Sequence, residues 1–215
     1  MVGLVIFDCD GVLVDSESIA VPILLKAAIS EGAEIVETEA FRLFRGQKFA
    51  HSIVEIEQRS GRKLPKSFEL DIRAELARAF EANLKAIDGI HTSLAEIARP
   101  FCVASNGPIA KIRHVLKITN LLEKFEGHIF SAYEIGSWKP DPGLFLHAAN
   151  FMGIEPSRCL VVEDSLFGIQ AAQSAGMKVL GFTNGDMSVE RNLKGSNVPL
   201  FHKMRELPDL IALYH

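Results

Sequence analysis

The sequence is short of the features that would place it in several large classes. It has three cysteines, Cys9, Cys102 and Cys159, each set singly beside an apolar run. That pattern excludes a disulfide framework or a cysteine metal cluster and reads as free thiols buried as small hydrophobes. Seven histidines are scattered, with no HExxH pair and no His/Cys pairing at zinc spacing, so a transition-metal site is not expected. No long basic run occurs. The net charge of −4 and a pI near 6.0 give no footprint for nucleic acid or an anionic membrane. Long hydrophobic runs are missing too. The first apolar stretch, Leu4–Phe7, is interrupted by acids at Asp8 and Asp10 and is too short for a signal peptide or a membrane span. The expected location is therefore the cytoplasm, and any anionic ligand must be held by a local site.

What is present is enough apolar material for a full core, 48% of 215 residues. Short apolar runs at Leu4–Phe7, Phe101–Ala104, His128–Phe130, Leu160–Val162 and Val179–Phe182 are each followed by a polar turn and a helical pattern. Such alternation predicts an α/β fold, a doubly wound and mostly parallel sheet covered on both faces, with ligands bound at the carboxyl ends of the strands. Nearly a hundred residues separate the first run from the second, far more than a crossover needs. Within that interval Phe68, Ile72, Leu76, Phe80 and Leu84 recur at i, i+4, so an α-helical cap domain over residues 17–85 is expected to interrupt a core of residues 1–16 and 86–215. The linkers near Asp15–Ser18 and Ile87–Gly89 suit a hinge, and Gly89 suits an unusual backbone angle. The stretch from Asn184 reads as a turn-rich return to the sheet with a short helix from about Leu207.

The chemistry-bearing residues fall just after these runs. Asp8 and Asp10 follow the first, where alternate residues of an extended chain aim two carboxylates from one strand tip and call for a cation. By itself, DxD is as well explained by solvated turn acids. Ser105, Asn106 and Gly107 follow the second run, where a hydroxyl, an amide and the N–H groups of an opening helix suit a phosphate cradle, although serine and asparagine are also ordinary caps. Lys139 stands between Trp138 and Pro140, in a segment stiffened by two prolines that fixes one positive charge. Glu163 and Asp164 form a second acidic pair at the fourth tip. Two acidic pairs and a lysine at neighbouring tips add up to a hard-cation site beside a phosphate site.

With these residues in order, DxDGxxxDS at Asp8–Ser16, SNG at Ser105–Gly107, KPDP at Lys139–Pro142 and EDSxxGxxAAxxAGM at Glu163–Met177, the chain resembles the haloacid-dehalogenase superfamily over nearly its whole length. The insert is similar to the helical cap of the β-phosphoglucomutase-like subfamily. Within it, Phe44–Lys48 and Val103–Pro108 resemble the bacterial 6-phosphogluconate phosphatases. The resemblance implies a Mg²⁺-dependent phosphatase acting on a small phosphorylated metabolite, a sugar phosphate such as 6-phosphogluconate, with Asp8 as nucleophile and metal ligand. It implies Asp10 as general acid and base whose carbonyl also ligates Mg²⁺, Asp164 as the third protein ligand, and Glu163 in or just behind the metal shell. Ser105, Asn106 and Lys139 would bind the phosphoryl group, while Arg45, Gly46 and Lys48 of the cap would meet the far end of the substrate. Asp10 speaks against a dehalogenase, and Ala20, where the sugar-phosphate mutases commonly carry histidine, tilts the choice from mutase to hydrolase. Phosphoglycolate hydrolysis stays open. A phospho-acceptor signalling domain would leave the helical insert and Asp10 unexplained.

Overall fold

The computed structural model describes residues 1–46 and 48–214. They form two compact units, Asp15–Lys85 and the remainder, which parts from it at Val14 and resumes at Ala86.

The smaller unit consists of four helices, α1 (Glu17–Ser30), α2 (Glu37–Phe44), α3 (Phe49–Ser60) and α4 (Phe68–Asn83). The i, i+4 spacing along α4 puts Phe68, Ile72 and Phe80 on its buried side, with Leu76 packed beside them. They close on Val21, Leu24 and Ala28 of α1, Phe44 of α2 and Ile56 of α3. Burying this stripe stabilises the unit, since each large apolar side chain contributes about 1.5–3 kcal/mol when removed from water.

The larger unit contains α5 (Ile90–Glu96), α6 (Ile109–Ile118), α7 (Leu122–Phe125), α8 (Ala132–Ile135), α9 (Gly143–Phe151), α10 (Leu166–Ser174), α11 (Met187–Leu193) and α12 (Leu207–Ala212). They accompany β1 (Leu4–Phe7), β2 (Phe101–Ser105), β3 (Ile129–Ser131), β4 (Cys159–Glu163), β5 (Lys178–Phe182) and β6 (Leu200–Phe201). The strands lie in the order β3-β2-β1-β4-β5-β6, and every neighbouring pair is parallel. This is the expected doubly wound α/β sheet.

The sequence of β1 explains its central place. All four residues are apolar and buried, so both faces are covered. Leu4 and Ile6 join the cluster containing Leu144 and Phe145 of α9 and Ile169 of α10. Phe7 meets Phe101 and Phe125 edge-on, each at 6.2 Å between centroids. Because β1 is flanked by β2 and β4, the strand order reverses there, which opens a crevice at the carboxyl end of β1.

Several elements differ from the sequence expectation. The third strand lies one residue later than His128–Phe130, although the His128 carbonyl still accepts a ladder bond from Val103 N–H. The return to the sheet includes a two-residue strand, β6, too short to show alternation, and α11 precedes it, opened by the Asp186 carboxylate accepting the Ser188 N–H. Gly89 has φ +83°, and an added Cβ there would press on the Arg205 side chain at 2.5 Å. The three cysteines are free and buried, and burial pushes the Cys159 thiol up to about 11. Among the described residues, no helix is long and apolar enough to cross a membrane.

Candidate active site

The site is built at the carboxyl ends of three strands. Asp8 is the first residue past β1, and its N–H donates to the Val162 carbonyl of β4 at 3.0 Å, which pins it beside the tip of that strand. The chain then turns back through Gly11, at φ +79°, whose N–H donates to the Val14 carbonyl at 2.8 Å. Only a residue free of the Cβ clash takes that angle cheaply. Asp10 lies in this turn, and its carboxylate pairs with Lys111 from the first turn of α6.

At the tip of β2, the Ser105 hydroxyl accepts the Gly107 N–H at 3.1 Å, and Ser131, closing β3, donates to the Gly107 carbonyl at 2.7 Å. Asn106 is turned toward the lysine segment. Its carboxamide oxygen accepts the Lys139 N–H at 2.9 Å, and its nitrogen donates to the Lys139 carbonyl at 3.4 Å. The amide thus clamps the backbone that carries the lysine.

Lys139 is 7% exposed. Its Nζ donates to Asp8 Oδ1 at 2.6 Å and Glu163 Oε1 at 2.7 Å, and it stands 4.8 Å over the Phe145 ring. The second oxygen of Glu163 accepts from Asp164 N–H at 2.9 Å, Ser165 N–H at 2.9 Å and the Ser165 hydroxyl at 2.8 Å. Both carboxylate oxygens are therefore engaged, and Gly168 of α10 makes room for them, since a Cβ there would overlap Glu163.

The electrostatics of this group are unbalanced. Burial, the largest influence, raises the Asp8 carboxyl; Lys139 opposes it, while Glu163, Asp164 and Asp10 push it further up, and the net result lies well above the usual carboxylate range. Burial alone would lower Lys139, but Asp8 and Glu163 outweigh it and hold the ammonium above its ordinary value. Lys139 thus pairs with both Asp8 and Glu163, and Lys111 pairs with Asp10. Asp8, Glu163 and Asp164 each offer an oxygen, all within 4.8 Å of one another. A hard, all-oxygen donor set of three carboxylates fits a divalent cation such as Mg²⁺ and suits zinc poorly.

The sequence-predicted residues Asp8, Lys139, Glu163 and Asp164 come together in one buried group, with Asp10, Ser105 and Asn106 on adjoining turns. Arg45, Gly46 and Lys48 belong to the helical unit. Arg45 closes α2, Lys48 opens α3, and Gly46 has φ +65°, with its N–H donating to the buried Glu17 carboxylate at 3.1 Å. Gln47 of the same segment lies outside the described residues. Sequence reasoning passed over Lys111 and Glu17. A lysine in the first turn of a helix, where the dipole disfavours it, was the available signal for the former.

Comparison with known proteins fits this geometry. The model of the haloacid dehalogenase-like hydrolases matches residues 2–176, which include the whole site. The chain belongs to the haloacid dehalogenase-like hydrolase family. The 6-phosphogluconate phosphatase of Escherichia coli (strain K12) is 37% identical to it over 207 residues, 96% of this chain and 93% of that one. A haloacid dehalogenase-like protein of unknown function from Agrobacterium tumefaciens str. C58 superposes with a TM-score of 0.88 at 34% identity, covering 99% of each chain. A family hydrolase from Deinococcus radiodurans R1, solved with bound phosphate and sodium, gives 0.76 at 28% identity, over 99% of this chain and 96% of that one. This haloacid dehalogenase-like hydrolase is a phosphatase.

Proposed function

We propose that the chain hydrolyses a small phosphorylated metabolite of the cytoplasm, 6-phosphogluconate before other sugar phosphates, through a phosphoryl group carried on Asp8 and with Mg²⁺ as cofactor. The observation that carries this reading is the buried Lys139 ammonium bonded to both Asp8 and Glu163 beside Asp164. It aims one carboxylate, paired with a cation, within a cluster of three carboxylates.

Asp8 attacks phosphorus while the bond to the leaving sugar oxygen breaks, and Asp10 supplies the proton that oxygen takes up. Water then attacks the same phosphorus, Asp10 takes its proton, and the bond to Asp8 breaks, releasing phosphate and restoring the carboxylate. Lys139 and the Ser105 hydroxyl offset the charge spread over the equatorial oxygens. Asn106 holds the Lys139 backbone, and Glu163 holds its ammonium. Mg²⁺, held by Asp8, Asp164 and the Asp10 carbonyl, would add Lewis-acid charge at the phosphoryl oxygens. Glu163 orients the site from behind, since both its oxygens already accept hydrogen bonds.

The test is phosphate release from 6-phosphogluconate, glucose 6-phosphate and phosphoglycolate, with and without Mg²⁺. Turnover led by 6-phosphogluconate is expected, falling on the order of 100-fold when Mg²⁺ is chelated. Full activity in chelator would overturn the metal assignment. Isomerised sugar phosphate without free phosphate would move the chain to the phosphomutases.

For the distal end of the substrate we assign Arg45, Gly46 and Lys48, because two cations suit a carboxylate. Arg45→Ala is expected to raise KM for 6-phosphogluconate about tenfold while leaving glucose 6-phosphate within about twofold. Equal losses on both substrates would remove the carboxylate assignment.

A further inference from the structure

Lys111 is placed where helix physics disfavours it. It is the third residue of α6, and a cation in the first turn faces the positive end of the helix dipole, at a cost of about 0.3–1 kcal/mol. A surface ion pair would return little more than that. Yet the ammonium is bonded to Asp10, 101 residues away in sequence, and the Lys111 side chain is only 28% exposed. The loops that frame this pair are both held. The Asp10 turn is fixed by Gly11 N–H on the Val14 carbonyl and Leu13 N–H on the Cys9 carbonyl. The start of α6 is fixed by Ser105 on Gly107 N–H and Ser131 on the Gly107 carbonyl. Two anchored backbones thus bring one cation to one carboxylate.

We propose that Lys111 is a positioning residue that aims the Asp10 carboxylate for its proton transfers. The assignment rests on the reading of Asp10 given above. Asp10 sits in a turn, with a side chain short enough for an ion pair to aim it, and the Lys111 ammonium is bonded to that carboxylate. A misplacement of about 1 Å at a reacting group can cost 100-fold in rate, so one ion pair on the acid and base has consequences for turnover beyond its small effect on stability.

The experiment uses the full chain with Mg²⁺ and p-nitrophenyl phosphate, whose leaving group departs without a proton. Formation of the Asp8 phosphoryl group is then spared, while attack by water still needs Asp10. For Lys111→Met, kcat is expected to fall about 10- to 100-fold with KM within about threefold, and a pre-steady-state burst of p-nitrophenolate should approach one equivalent per chain. Lys111→Arg should recover kcat to within about fivefold, because it keeps the cation and the reach. Asp10→Asn should show the same burst with deeper loss. A tenfold rise in KM at unchanged kcat for Lys111→Met would overturn the proposal and make Lys111 a grip on the substrate phosphate. Unchanged kinetics in Lys111→Met beside an Asp10→Asn that bursts and stalls would overturn the role of Lys111 alone. Wild-type turnover by Asp10→Asn would overturn the reading of Asp10 and the proposal with it. Thermal unfolding midpoints of the three variants should match the parent within a few degrees, since partly exposed ion pairs contribute little to stability.

Discussion

Replacing Lys139 with alanine is expected to lower kcat by about 100- to 1,000-fold, the range seen when one preorganised charge is removed from a reacting centre. The substitution removes the hydrogen bonds at 2.6 and 2.7 Å that hold Asp8 and Glu163, together with the cation proposed to face the phosphoryl oxygens. It also leaves Asp8, Glu163 and Asp164 crowded together in the fold. Breaking a buried ion pair from one side costs about 3–5 kcal/mol, so the unfolding midpoint should fall on the order of 10 °C. The two readouts separate the roles. Turnover should be measured well below the lowered midpoint, where the variant is folded and the loss belongs to chemistry. Lys139→Arg is expected to recover stability better than rate, because the wider guanidinium keeps charge in the group but displaces the two carboxylates. Turnover by Lys139→Ala within about threefold of the parent would remove Lys139 from the mechanism.

The parts of this protein that were legible in its sequence are those written into local pattern. Leu4–Phe7 and Leu160–Val162 are short apolar runs ended abruptly by acids, which marks a buried strand and its polar tip together. Asp8, Ser105, Glu163 and Asp164 could therefore be placed at one edge of the sheet before the strand order was known. Phe68, Ile72 and Phe80 revealed α4 by spacing alone. The illegible parts depend on contacts between distant segments. Asn106 reads locally as a cap or phosphate ligand, yet its amide meets the Lys139 backbone 33 residues away. Lys111 is an oddly placed cation in the first turn of α6, but its partner is not visible until α6 is set beside the Asp10 turn. Glu17 shows nothing in sequence of its bond to Gly46, 29 residues on. β6 has two residues, too few for any period to register. Pattern reports which face a residue occupies, whereas pairing is decided by tertiary packing.

Gly168 supplies the second large effect, and its sign separates packing from propensity. It lies in the first turn of α10 with its N–H on the Ser165 hydroxyl at 3.1 Å. On helix propensity alone, Gly168→Ala would stabilise by up to about 1 kcal/mol. Here the added Cβ would overlap the Glu163 carboxylate, which is fully buried and held by Lys139, two backbone N–H groups and Ser165. Something must shift, and the Glu163 side chain is the group in the way. Overpacking of this kind costs about 1–3 kcal/mol, and a buried carboxylate pulled from its donors adds about 1–3 more. A net loss of about 1–5 kcal/mol is therefore expected, with kcat falling at least about tenfold as the Lys139 ammonium loses one of its two anchors. Gly195→Ala is the matched control, since its Cβ would meet nothing within 4 Å, and it should leave midpoint and rate unchanged. With Glu163 bonded to Lys139 and proposed to act through it, Gly168→Ala should lower kcat much more than it raises KM. A Gly168→Ala chain with raised midpoint and parental kcat would show that the carboxylate has room to move, and would end the assignment of Glu163 as the residue that orients the site.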